Sequence, residues 1–301
     1  MTDSAHRRNG EVPVLLLLML LLTRTACAGG LEARWLSAAA GAEITRYADE
    51  DPYMFQGAEG RTRSLYGSAG TGTRWLVAAG FSDQRIRQDS WRFHGLKRSL
   101  WVVGAPSPSW GVEVMGVSTS TGMEWPTGGT TSASSEHGWT LGTGLNWCPQ
   151  LDVAAPVLLN VRVYKTRAAD LATRETPFKS GELNLQRRSA GGSQRIGLLA
   201  SRVESDNKAA VLLRSTWSRG RLDAHASVLT GHLDNWFDVE KLVLHDGALE
   251  LKSLASAGVG WSCWKGLSLE ASAGWEKVSG SESRWLFLAA RWTQKWWVAG
   301  R

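Results

Sequence analysis

Apolar residues recur at every second position along most of this chain, over segments of nine or more residues. Trp139, Leu141, Thr143, Leu145 and Trp147 alternate with Thr140, Gly142, Gly144 and Asn146. Leu267, Leu269, Ala271, Ala273 and Trp275 alternate with Ser268, Glu270, Ser272, Gly274 and Glu276. Val157, Leu159, Val161 and Val163 repeat the pattern, as do Leu222, Ala224, Ala226 and Val228. Successive side chains on a strand point to opposite faces, so each segment has one apolar face and one more polar face. No segment holds a helical period over three turns, and the chain reads as all-β.

The alternation places strands near 33–46, 57–66, 71–82, 90–104, 109–118, 137–147, 156–166, 180–188, 193–204, 208–218, 220–232, 248–264, 266–277 and 284–296. That makes fourteen; the second and ninth are weakly patterned, which leaves twelve as the alternative count. Many match the ~9–11 tilted residues that cross a bilayer as a strand, against ~5–6 in ordinary globular sheets. Short turns at Gly67–Gly70, Ala105–Pro108, Cys148–Ala155, Ser189–Gly192, Arg219 and Lys265 alternate with mostly longer connections. The latter are Tyr47–Gln56, Asp83–Asp89, Thr119–Glu136, Arg167–Lys179, Leu233–Gly247 and Val278–Ser283, with a brief link at Ser205–Asn207 as the exception. Such alternation gathers the short turns on one rim and the long loops on the other.

The N-terminus carries its own signal. His6, Arg7 and Arg8 precede eight apolar residues, Leu15 to Leu22, and then the small-x-small run Ala26-Cys27-Ala28. This is the grammar of a secretory signal peptide, cleaved after Ala28; the apolar run is too short for a membrane-spanning helix. Arg24, three before Cys27, departs from the lipoprotein pattern. Residues 1–28 are therefore expected to be an export signal and 29–301 a single domain.

Tryptophan, with 17 copies, sorts toward strand ends. Trp101, Trp110, Trp147, Trp217, Trp261, Trp264, Trp296 and Trp297 fall near the short-turn rim, and Trp91, Trp139, Trp275 and Trp285 toward the other. Indole prefers the headgroup level of a membrane, so Trp101, Trp110, Trp147, Trp217, Trp261, Trp264, Trp275, Trp285 and Trp296 are expected at the membrane interfaces. In strand pattern, loop asymmetry and aromatic placement, residues 29–301 resemble the bacterial outer-membrane β-barrels as a class. The resemblance implies a transmembrane antiparallel up-and-down barrel with porin-like character. Its expected partners are outer-membrane lipid and lipopolysaccharide together with the barrel-assembly machinery. One departure is the end of the chain, Val298-Ala299-Gly300-Arg301, where members often finish on an aromatic residue.

With the apolar face toward lipid, the alternate positions line the interior: Glu43, Arg74, Glu113, Arg162, Glu182, Arg195, Arg214, Asp223, His225, Glu250, Lys252, Glu270 and Glu276. Mixed charges of this kind pair and narrow any passage. The expectation is a narrow channel for small polar solutes or ions, occluded by the Gly/Ser/Thr-rich segment Thr119–Glu136. A purely structural role for the paired charges is the competing reading.

Other chemistry finds little support. His225-Ala226-Ser227 has the spacing of a base and nucleophile on one strand, as in outer-membrane lipid hydrolases. It lacks the Asn-Gly that follows there, and both side chains fall on the interior face. An exported soluble β domain for binding or structure is a further alternative. His225 and His232, seven apart, face opposite ways on a regular strand, so no metal site is expected. Asp49-Glu50-Asp51 lacks calcium-loop spacing. Gly67-Ser68-Ala69-Gly70-Thr71-Gly72 has no following Lys-Ser/Thr and is no phosphate cradle. No cofactor is implied. The net charge of +6, with no basic run longer than two, is a poor footprint for nucleic acid. Cys148 and Cys263 lie at the same rim but six strands apart, beyond disulfide reach.

Overall fold

The computed structural model describes residues 31–299 apart from 50–56, 72–74, 89–90, 108, 128–129, 150–156, 168–177, 204–205, 239–242 and 280. The strands are β1 (Leu31–Asp49), β2 (Glu59–Thr71), β3 (Trp75–Gln88), β4 (Trp91–Ser107), β5 (Trp110–Thr127), β6 (Thr130–Trp147), β7 (Val157–Arg167), β8 (Phe178–Ser189), β9 (Gly192–Val203), β10 (Asp206–Arg219), β11 (Leu222–Asp238), β12 (Val243–Trp264), β13 (Leu267–Val278) and β14 (Ser281–Ala299). Each pairs antiparallel with its chain neighbours, and β1 pairs with β14 from Leu31↔Ala299 to Asp49↔Ser281, closing a barrel of fourteen strands. Closure leaves no edge strand, so backbone polar groups are satisfied by the ladder without help from solvent.

The two faces separate as the alternation requires. On β7, Val161 and Val163 are exposed outside while Asn160, Arg162, Tyr164 and Thr166 are buried inside. On β5, Val112 and Val114 point out and Glu113, Met115, Val117 and Thr119 point in. Leu65, Leu100, Leu141, Leu183, Leu198, Leu213, Val228, Val259 and Leu288 continue the outer apolar ring, each between 41% and 61% exposed. An apolar surface of that extent has no aqueous role and fits hydrocarbon. Among the described residues no helix is long and apolar enough to cross a membrane; strands supply the apolar surface here.

Tight turns close one rim. Ser189↔Gly192, Arg219↔Leu222 and Trp264↔Leu267 are each joined by two residues. Gly220 (φ 64°) and Gly266 (φ 83°) supply the left-handed backbone that such turns demand.

Three sequence expectations are corrected. Gly67–Gly70 is not a turn but the end of β2, where Gly70 lets the indole of Trp35 lie close against the backbone. Asp83–Gln88, expected in a loop, completes β3. Thr119–Glu136 is no inward-folding loop either. Its strands stay in register from Trp110↔Trp147 to Thr127↔Thr130, a ladder about 60 Å long at ~3.3 Å per residue, well beyond a ~25 Å apolar band even when tilted.

The segment that enters the barrel is the upper part of β11. Its pairing with β12 shifts between Thr230 and Leu233 and again between Leu233 and Asn235, and Gly231 adopts φ 133°. These irregularities bend the strand. Leu233, Trp236 and Asp238 beyond them are buried at 1%, 3% and 4% exposure, packed toward β8 and β9 across the interior.

Candidate functional site: the barrel interior

Interior side chains of β4 to β9 form one polar cluster. Glu113 on β5 accepts from Arg162 Nε (2.9 Å), Asn160 Nδ2 (2.8 Å), Trp101 Nε1 (3.0 Å) and the Asn146 amide. Glu182 on β8 accepts from Arg162 Nη1 (3.2 Å), Arg195 Nη2 (3.2 Å), Asn184 Nδ2 (2.9 Å) and Tyr164 OH (3.0 Å). Arg195 Nε also donates to Asn184 Oδ1 at 2.9 Å, and Asn184 Nδ2 to Asn160 Oδ1 at 3.0 Å. Both carboxylates are almost wholly buried, and burying a charge is tolerable only with this degree of pairing and hydrogen bonding.

The bent end of β11 docks onto this cluster from above. Trp236 donates from Nε1 to Glu182 Oε1 at 3.0 Å. Asp238 accepts from both terminal nitrogens of Arg214 on β10, with Nη1 at 3.2 Å from Oδ1. The ring of Trp236 meanwhile packs in a second, apolar cluster with Leu199, Ala210, Leu212, Leu229, Leu233, Leu251 and Leu254. Interior apolar residues on β9 to β12 were not expected from the alternation, which assigned that face to polar groups. The bent end of β11 explains them: once it turns inward it needs a dry surface to pack against.

The other expected interior residues are scattered. Asp223 and His225 share the inward face of β11 with Ser227; His225 lies against Gly258, where a Cβ would meet its ring at 2.5 Å. Ser227 Oγ is paired with Ser256 Oγ at 2.7 Å and makes no hydrogen bond to His225, so no base–nucleophile pair forms. Glu270 faces in, 3.7 Å from Arg291. Lys252 falls in a register shift between Leu251 and Ser253, which breaks the alternation that placed it. Glu250 lies at the long-loop rim with His232 Nδ1 (2.8 Å), Ser279 Oγ (3.1 Å) and Lys208 Nζ (3.4 Å). Burial pushes its carboxyl up, but the hydrogen bonds with His232 and Ser279 and the charge of Lys208 outweigh that and hold it below its ordinary value. Arg74 lies outside the described residues.

The tryptophans divide. Trp110 and Trp147 stack outside at the short-turn rim with centroids 5.9 Å apart, and Trp217, Trp261 and Trp264 are exposed there. Trp275 is on the outer face by alternation, donating to Glu282 Oε2 at 3.4 Å. Trp101 and Trp285 are corrections, because both face inward. Trp101 stands opposite buried Met115 and bonds Glu113; Trp285 stands opposite Gly274 and Thr45, its ring covering the glycine. The Trp296 side chain lies outside the described ones. Asn160, Tyr164 and Asn184 were missed although they share strand faces with charged interior residues. Trp236 and Asp238 gave no signal, since they depend on the bend.

Among the described residues no group of three His, Cys, Asp or Glu is placed to hold a metal ion, and Cys148 and Cys263 are free thiols. No family model and no curated protein matches this chain. Solved structures do. The toluene transporter TbuX of Ralstonia pickettii superposes with a TM-score of 0.52 at 8% identity, over 89% of this chain and 90% of that one. The fold is shared with a bacterial transporter. OpdQ of Pseudomonas aeruginosa (TM-score 0.46, 7% identity, 88% and 98% covered) and OccAB4 of Acinetobacter baumannii (0.43, 8%, 89% and 99%) also match.

Proposed function

We propose that this chain is a bacterial outer-membrane β-barrel acting as a narrow, porin-like channel for small polar solutes or ions. The observation that carries the reading is a closed barrel with an apolar outside and an ion-paired inside. The barrel fold shared with TbuX, a toluene transporter, supports a transport role over catalysis. In this reading residues 1–28 are a cleaved export signal, the barrel-assembly machinery inserts the chain, and outer-membrane lipid and lipopolysaccharide surround it. It is not an enzyme and uses no cofactor. The inward end of β11 is the constriction. Purified protein in a planar bilayer should give small unitary conductance, and replacing residues 234–247 by a short turn should raise it severalfold. A heat-modifiable barrel with no conductance in either form would overturn the channel.

A further inference from the structure

On the outer face of β2, β3 and β4 six arginines are exposed: Arg98 stands opposite Phe81 of the apolar ring, and Arg61, Arg63, Arg85, Arg87 and Arg92 lie beyond it on the long-loop side. Their place is fixed by register. They lie on the same strand faces as Leu65, Phe81 and Leu100 of the apolar ring, with Arg63 two residues and Arg61 four residues beyond Leu65. At ~3.3 Å per residue that is roughly 7 and 13 Å along the strand, the depth of lipid headgroups.

Two of the cross-strand pairs bring like charges directly opposite each other, Arg61↔Arg85 and Arg87↔Arg92. Such pairs destabilise a sheet unless an anion lies between them. The carboxylates on this face do not suffice: Glu59, Asp83 and Glu124 stand against the six arginines, and Asp83 is already engaged by Arg85 at 3.3 Å and His94 at 3.0 Å. None of Arg61, Arg63, Arg87 and Arg92 has an ion-pair partner among the described residues.

We propose that this face binds a glycolipid bearing two or more phosphates in the outer leaflet, the arginines bridging its phosphoryl groups. The guanidinium fork matches phosphate bidentately, and one phosphate can serve two arginines that otherwise repel. The assignment of this rim to the outer leaflet rests on the outer-membrane reading, because long-loop ends of such barrels face outward.

The test uses the full-length protein refolded in zwitterionic detergent and titrated with purified bis-phosphorylated lipid A, its enzymatically dephosphorylated form, and phosphatidylglycerol. Wild type should bind the bis-phosphorylated lipid about tenfold or more tightly than either other lipid; equal binding of all three overturns the proposal without any variant being made. R61Q/R63Q/R85Q/R87Q should lose that preference, while R219Q/R221Q/K265Q at the short-turn rim keeps it. Thermal unfolding adds a readout that bulk charge loss would not give. Without phosphorylated lipid the quadruple variant should unfold at a higher temperature than wild type, and with it at a lower one; no crossover counts against the site. Conductance of the quadruple variant stays at the wild-type level, so loss of the pore reading and loss of this site are told apart.

Discussion

The interior of the barrel between β5 and β8 and that between β9 and β12 are built from opposite chemistries, yet the central side chains of both are buried. The first is a hydrogen-bonded cluster in which Glu113 and Glu182 are each surrounded by donors. The second is a leucine cluster whose central members, Leu212 and Leu229, have no exposed surface. Trp236 belongs to both, with its ring in the leucines and its N–H on Glu182. The contrast shows what a membrane barrel can do with its inside. Lipid dictates the outer face, but the inner face is free to be either a paired polar network or an apolar core, provided nothing is left unsatisfied.

The polar half should be the more fragile to truncation. Glu182→Ala removes the acceptor shared by Arg162, Arg195, Asn184, Tyr164 and Trp236 and takes a buried counter-charge from both arginines, although Arg162 keeps Glu113. We expect a loss of about 3–5 kcal/mol, read as the urea midpoint of tryptophan fluorescence in lipid vesicles. Leu229→Ala in the apolar half only opens a cavity, and should cost about 2–4 kcal/mol by the same assay. If Leu229→Ala proved the more damaging, the polar network would be less tightly coupled than its geometry indicates. A third substitution separates both from the barrel wall. At Gly274 an added Cβ would collide with the ring of Trp285, so Gly274→Ala should cost about 2 kcal/mol through overpacking. Gly260→Ala on the same inward face, where the nearest atom is 3.6 Å away, should cost less.

The same comparison explains what the sequence made legible. Alternation located all fourteen strands because lipid enforces it on one face of each, as at Val161 and Val163 or Leu267 and Leu269. It also gave the inward direction of Arg162, Arg195 and Arg214. It failed where an inward residue is apolar, since period and polarity then point different ways: Leu199, Leu212 and Leu229 look lipid-facing by composition and are interior by parity. Trp101 and Trp285 failed for a related reason, their positions near strand ends suggesting a girdle while their parity put them inside. The bend at Gly231 was invisible, because two register shifts depend on which residues β12 offers opposite. Without that bend nothing distinguishes the segment that enters the barrel from Thr119–Glu136, which is richer in small residues and yet stays in a regular ladder.

The joint between the two halves can be tested with the smallest change. Trp236→Phe keeps an aromatic ring among Leu199, Leu212, Leu229 and Leu251 but removes the N–H that reaches Glu182. Glu182 retains its donors from Arg162, Arg195, Asn184 and Tyr164, so the carboxylate is not stranded and the cost should be only about 1 kcal/mol. Its effect on the bent end of β11 is of a different kind. Two contacts tie that end to the barrel wall, Trp236–Glu182 and Asp238–Arg214. Loosening one of them should raise the frequency of open-channel events in single-channel records more than it lowers the urea midpoint. Equal conductance in Trp236→Phe and wild type would mean that the apolar packing of the ring, and not its hydrogen bond, fixes the end of β11 inside the barrel.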